Sequence, residues 1–268
     1  MKSSIIARQI DIQGIVQGVG FRPHVFKLAA QHKITGTVAN TSAGVIIHAQ
    51  GSSDTIDAFH QDLIRHPPPL AHIAKVTVHQ RETEDHHGFT ISKSSGLLEK
   101  SALITPDTSV CEDCRSELFD PADRRYRYPF INCTNCGPRY TIINDIPYDR
   151  PSTSMKKFIM CPACQAEYDE PANRRFHAQP NACPVCGPKV SLFDNRRRPV
   201  KADDPIQKTI DLLAEGFIVT IKGLGGFHLA ADAVSVSAVA RLRKRKAREE
   251  NRWRLWPPIC PRSVDLPG

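Results

Sequence analysis

The sequence predicts an α+β protein whose parts follow one another along the chain: an α/β sandwich, two small cysteine-built modules and an incomplete α/β segment. Three observations predict it. Residues 7–91 carry period-two and helical apolar patterns in the order βαββαβ, with a short strand to follow; eight of the nine cysteines form four CxxC pairs; and residues 205–221 run from a helical pattern into an apolar stretch.

Length and composition bound the reading. The 268 residues suit two or three small domains, and charged residues at 24% with hydrophobics at 40% are ordinary for a globular chain. No run of eighteen apolar residues exists and the N-terminus lacks a long apolar core, so neither a membrane span nor secretion is expected and a cytoplasmic location is. The net charge of +8 lies mostly in the tail, where residues 241–268 hold nine Lys/Arg against Glu249, Glu250 and Asp265. A charge so placed is a weak argument for a nucleic-acid face, which needs it spread over the contact surface.

In the first part, residues 1–92, strands are expected at Ala7 to Gln13, Gly36 to Asn40, Val45 to Ala49, Ala74 to Val78 and Phe89 to Ile91. Helices are expected at Pro23 to His32 and Thr55 to Arg65, where Val25, Phe26, Leu28 and Ala29, then Ile56, Phe59 and Leu63, have helical spacing. This order is that of the ferredoxin-like sandwich. Between the first strand and helix runs the loop Gly14-Ile15-Val16-Gln17-Gly18-Val19-Gly20-Phe21-Arg22. Glycines let successive backbone N–H groups turn inward around an anion, a helix N-terminus adds partial positive charge, and a guanidinium at the mouth matches phosphate oxygens. Ile15 to Gly20 are therefore the candidate phosphate loop, with Pro23 suited to a first helical turn.

A stretch rich in Ser and Lys opens a linker, residues 93–110, to the cysteine modules. Module one (111–138) holds Cys111, Cys114, Cys133 and Cys136; module two (161–188) holds Cys161, Cys164, Cys183 and Cys186, each 50 residues on. Glu117/Glu167, Arg124/Arg174, Arg125/Arg175, Gly137/Gly187 and Pro138/Pro188 coincide at the same offset, so the module is duplicated. Two CxxC turns supply a tetrahedral four-thiolate shell for zinc, and binding energy at such a site replaces a core that thirty residues cannot build. Two structural zinc ions are expected, one per module, against a redox-dithiol alternative.

The segment GIVQGVGFR followed by GTVAN (Gly36 to Asn40) resembles the acylphosphatase signature. That resemblance, over residues 5–92, implies that Arg22 anchors the phosphoryl group and Asn40 positions the attacking water. The order of parts, with RRYRYPFINCTNCGPRYTI and RRFHAQPNACPVCGP, resembles the N-terminal part of the HypF carbamoyltransferase family, which makes the cyanide ligands of NiFe hydrogenases. The resemblance implies hydrolysis of carbamoyl phosphate to carbamate, adenylation of carbamate with ATP in a YrdC-like domain, and transfer to a cysteine on a HypE-type partner protein.

In the third part, residues 203–248, a helix is expected at Pro205 to Glu215 and a buried strand at Phe217 to Ile221. This resembles the start of a YrdC-like nucleotide-binding domain, implying that Lys222, next to a Gly-rich turn, and Lys246 with Arg248 face nucleotide phosphates. Residues 249–268 lack periodicity and read as an aberrant tail, truncated or frame-shifted, which leads to the expectation that only the hydrolytic step survives here. The alternative class is a zinc-containing RNA-binding or tRNA-modification factor using Arg124, Arg125, Arg127, Arg139, Arg174, Arg175 and Arg196 to Arg198. Interleaved acidic residues weigh against a nucleic-acid partner.

Overall fold

A computed structural model of the protein describes residues 5–94 and 102–247. The chain divides into two compact units, Met1–Pro188 and Lys189–Gly268.

The first unit starts from a five-stranded sheet. Strands β1 (Ile5–Ile15), β2 (Thr35–Asn40), β3 (Val45–Ser52), β4 (His72–Arg81) and β5 (Phe89–Ile91) lie in the order β4-β1-β3-β2-β5, antiparallel except for the β2–β5 edge. Helices α1 (Phe21–Gln31) and α2 (Ser53–Arg65) close the sandwich. The apolar positions do what their spacing requires. Ile10, Ile12, Val38, Val45 and Ile47 from the strands meet Val25, Ala29, Ile56, Phe59 and Leu63 from the helices in one core, each at most 1% exposed. Burying an aliphatic or aromatic side chain of this kind stabilises by about 1.5–3 kcal/mol before entropy is counted.

Element ends differ modestly from the sequence expectation, for local reasons. Helix α2 begins two residues early because Ser52 caps it, its hydroxyl accepting from Thr55 N at 3.3 Å. Helix α1 likewise begins at Phe21, so Pro23 sits third rather than first, still within the turn that needs no N–H partner.

The cysteine modules repeat one small fold. A helix follows each first cysteine, α3 (Glu112–Phe119) and α4 (Pro162–Asp169), and a turn then brings the second CxxC back. In both, the residue after the Arg-Arg-aromatic run takes a left-handed backbone, Arg127 at φ 56° and His177 at φ 53°, and donates N–H to Leu118 O and Tyr168 O respectively. The sandwich and the modules, separate parts in the sequence reading, belong to the same compact unit. Phe176 of the second module packs edge-on against Phe26 of α1, with centroids 5.4 Å apart.

The second unit holds α5 (Pro205–Ala214), the antiparallel hairpin β6 (Val219–Gly223) and β7 (Gly226–Ala230), and α6 (Val236–Lys246). Asp204 caps α5 through Ile206 N and Gln207 N, both 2.9 Å. One expectation is corrected here: the strand starts at Val219 rather than Phe217 and is only half-buried on one face. The expected Gly-rich turn closes a hairpin at Leu224-Gly225, with Gly225 at φ 78°. Glycine at the second turn position takes the positive φ at little steric cost, and Lys222 pairs with Phe227 across the hairpin. The aberrant tail expected at residues 249–268, and Arg248, lie outside the described residues. Among those described, no helix is long and apolar enough to cross a membrane.

Candidate active site and metal centres

The expected phosphate loop leaves β1 at Ile15 and enters α1 at Phe21. Gly18 and Gly20 take left-handed backbone conformations, φ 73° and 75°, that turn the chain back on itself before the helix. Val16, Gly18, Gly20, Arg22 and Asn40 line a cleft with about 320 Å³ of empty space, counted to its open mouth. The structure therefore brings Arg22 and Asn40 together beside the loop. Ile15 and Val19 turn to the core, and Gln17 serves the loop from beneath: its Nε2 donates to Thr41 O and Gly44 O, both 2.7 Å.

The opposite wall of the cleft comes from the cysteine modules and their connection, through Thr134, Arg139, Tyr148 and His177 to Pro180. Arg22 Nη2 lies 2.7 Å from Asp149 Oδ1, and Asp149 Oδ2 accepts a short hydrogen bond from Ser94 Oγ. Asn40 Nδ2 donates to Tyr148 O at 3.0 Å, while its Oδ1 is buried without a partner. Tyr148 N donates to Gln17 Oε1 at 2.8 Å. Arg139, 2% exposed, donates Nε to Gly18 O and its Nη atoms to the carbonyls of Cys133, Thr134, Cys136 and Pro138 at 2.9–3.1 Å. It ties a CxxC turn directly to the phosphate loop. Burial, with the charge of Arg22 beside it, pushes His177 down to about 4, so the imidazole is neutral near neutral pH.

Tyr148 and His177 of the cleft wall, and Asp149 that pairs with Arg22, are not singled out from the sequence, and Arg139 enters it only in the RNA-binding alternative.

The four thiols of each module converge, every pair of Sγ atoms lying within 4.8 Å. Cys111–Cys133, Cys133–Cys136, Cys161–Cys183, Cys183–Cys186 and Cys164–Cys186 are 3.6–3.8 Å apart. A tetrahedron with Zn–S bonds of about 2.3 Å has edges of about 3.8 Å, so the residues fit zinc, and four thiolates leave no position for substrate. The role is structural.

The modules grip each other through their repeated arginines. Arg125 binds both carboxylate oxygens of Glu167 and Asn181 Oδ1; Arg175 binds Glu117 in the same way. Arg124 Nη2 reaches Cys164 Sγ at 3.1 Å, and Arg174 reaches Cys114 Sγ at 3.1 and 3.2 Å. Arginines so engaged are not presented to nucleic acid, which weakens the RNA-binding alternative. Lys222 and Lys246, by contrast, are exposed, with Lys222 Nζ 5.0 Å from the centroid of Phe227.

Comparison with known proteins covers each part. Residues 8–91 match the family described as "Acylphosphatase", residues 110–143 and 160–193 the "HypF finger", and residues 211–253 the Sua5/YciO/YrdC family described as "Telomere recombination". Among curated relatives, "Carbamoyltransferase HypF2" of Cupriavidus necator is 54% identical over 90% of the chain and 30% of its own length, and "Carbamoyltransferase HypF" of Synechocystis sp. is 50% identical over 90% and 31%. "Acylphosphatase" of Thermotoga maritima is 36% identical over 32% of the chain and 94% of its own length. A solved structure titled "Crystal structure of full-length HypF in the phosphate- and nucleotide-bound form" superposes with TM-score 0.84 at 50% identity, covering 91% of the chain and 32% of that structure. The chain thus spans about a third of the length of these longer relatives.

Proposed function

We propose that this chain, which belongs to the HypF carbamoyltransferase family and corresponds to the N-terminal portion of its members, hydrolyses carbamoyl phosphate to carbamate and inorganic phosphate in the cleft between loop 15–20 and the finger module. The observation that carries the reading is the meeting of Arg22 and Asn40 beside a Gly-rich strand-to-helix loop. The phosphoryl group lies on the loop N–H groups and the Arg22 guanidinium, which neutralise its charge. Water oxygen attacks phosphorus, the bond from phosphorus to the acyl oxygen breaks, carbamate leaves, and the water proton passes to the phosphate product. Asn40 Oδ1 is the free acceptor that orients this water. No general base is required, because carbamate is a good leaving group and positioning with charge stabilisation suffices.

Zinc, when bound by the two thiolate sets, holds the finger module together and takes no part in the reaction. In the longer family members the resemblance extends the sequence to ATP-dependent carbamoyl adenylation and transfer to a HypE-type acceptor in hydrogenase maturation. Lys222, Lys246 and Arg248 are the residues here proposed to face ATP phosphates.

The test is phosphate release from carbamoyl phosphate by the 268-residue chain and its Arg22→Ala and Asn40→Ala variants. Both variants are expected to lose about a hundredfold or more in kcat/KM, Arg22→Ala mainly through KM. A folded, zinc-loaded chain inert toward carbamoyl and acetyl phosphate would refute the assignment.

A further inference from the structure

Each of the two residues assigned to the chemistry is held, at one atom, by the segment that joins the two fingers. Arg22 Nη2 is paired with Asp149 Oδ1 at 2.7 Å, and the second oxygen of that carboxylate is engaged by Ser94. With both oxygens engaged, the carboxylate is a fixed point rather than a free arm. Arg22 is itself buried, so its guanidinium cannot relax into solvent. One of its five N–H groups meets Asp149, and four remain for phosphate oxygens.

Asn40 is held by a different atom of the same segment. An asparagine amide can in principle be turned over, exchanging its oxygen and nitrogen, and the environment decides which way it lies. The Tyr148 carbonyl accepts and cannot donate, so only Nδ2 satisfies it. Oδ1 is thereby left as the acceptor, buried and unpartnered in a residue that lines the cleft. Water attacking phosphorus needs an acceptor for its hydrogen at this stage, and an amide turned the other way would offer a donor instead. Tyr148 is in turn fixed to the phosphate loop by its own N–H on Gln17 Oε1, and Arg139 fixes the first finger's CxxC turn to Gly18 O.

We propose that Tyr148 and Asp149 are positioning residues of the hydrolytic site: Asp149 sets the guanidinium of Arg22 for the phosphoryl group, and the Tyr148 carbonyl sets the amide of Asn40 for water. The inference rests on the proposed acyl phosphate hydrolysis and deepens it by making the finger module part of the site. The Thermotoga acylphosphatase, matched over 86 residues that make up 94% of its length, has no room for such a segment.

The test uses the full chain, zinc-loaded, with Asp149→Asn, Asp149→Ala and Ser94→Ala. The readouts are kcat and KM for carbamoyl phosphate and the inhibition constant of inorganic phosphate. A loosened Arg22 is expected to raise KM and the phosphate constant by about tenfold in both Asp149 variants, with kcat falling less, and Ser94→Ala should move both in the same direction by a smaller factor. Asp149→Asn keeps the shape of the side chain, so it remains informative if Asp149→Ala folds poorly. KM and phosphate binding within twofold of the unaltered chain in the folded variants would overturn the proposal. Tighter phosphate binding would overturn it too, since Asp149 would then be a competitor of the phosphate. An unaltered chain that binds phosphate but hydrolyses no acyl phosphate would overturn the proposed function, and this inference with it; active wild type beside unaffected variants would overturn only the inference.

Discussion

Arg125 and Glu167 stand 42 residues apart in sequence, in different fingers, and close a two-point ion pair around which the finger module is assembled. Arg125 is 1% exposed and also donates to Ala182 O at 3.0 Å and Asn181 Oδ1 at 3.0 Å. Burial alone would raise the Glu167 carboxyl, but the hydrogen bonds and charges of Arg125 and Arg124 prevail and hold it down to about 2. The pair is thus ionised under ordinary conditions. Glu167→Gln removes the carboxylate and leaves a buried guanidinium uncompensated, a change that costs about 3–5 kcal/mol where it has been measured. The finger module should accordingly melt earlier in thermal denaturation, and replacing both partners by apolar residues should recover part of the loss.

The same grip makes each finger's arginines neighbours of the other finger's thiolates. Arg174 lies in module two, yet its hydrogen bonds reach Cys114 of module one. Outer partners of metal ligands usually contribute about ten- to a hundredfold in metal affinity. Arg174→Leu should therefore speed zinc release from module one, and Arg124→Leu from module two. Chelator competition on variants in which the other site has been removed, by Cys133→Ser or Cys183→Ser, would show which site is weakened. Release from the arginine's own module would refute the cross-bracing.

Sequence and structure agree most closely where a local rule dictates the outcome. The alternation Val45/Ile47/Ala49 and the helical spacing Ile56/Phe59/Leu63 determine which side is buried, and those side chains are all at most 1% exposed. The 50-residue repeat is equally readable, and the structure adds to it matched left-handed turns at Arg127 and His177, which differ in residue type and so are not announced by it. Arg22 and Asn40 could be found because a Gly-rich loop and its motif announce them. Asp149, Tyr148 and His177 could not, because what makes them site residues is a contact across more than a hundred positions, and no periodicity or spacing encodes such a contact. The Gly-rich turn after Ile221 is where it was expected, but the pairing of β6 with β7 that it closes is a contact between strands that the glycines alone do not announce.

Gly18 offers a sharper test of the cleft. Its φ of 73° disfavours any side chain, and a methyl group there would meet Arg139 Cδ at 3.0 Å and Tyr148 Cε1 at 3.3 Å. The left-handed backbone alone costs a non-glycine residue about 1–2 kcal/mol. Gly18→Ala should then raise the inhibition constant of inorganic phosphate by about tenfold, because relief of strain moves the loop or the finger wall. Unchanged phosphate binding in a folded variant would mean that the wall yields without cost.

His177 gives a prediction in pH. The imidazole is half-buried in the cleft wall between Tyr168 and Phe176, with ring centroids 4.9 and 4.6 Å away, and burial followed by the nearby Arg22 lowers it from 6.5 to about 4. The sign follows from linkage. An unfolded chain protonates this histidine as pH falls through about 6.5, whereas the folded chain does so only near 4, so between these values the unfolded state binds more protons and stability falls with falling pH. Above that window His177 exerts no such effect, and below it the loss is complete. His177→Gln should flatten the decline in stability between pH 6.5 and 4, measured by denaturant unfolding of the zinc-loaded chain. Proton NMR of the ring should report a midpoint near 4 in the native protein; a midpoint near 6.5 would show that the ring is solvated and that Arg22 does not bear on it.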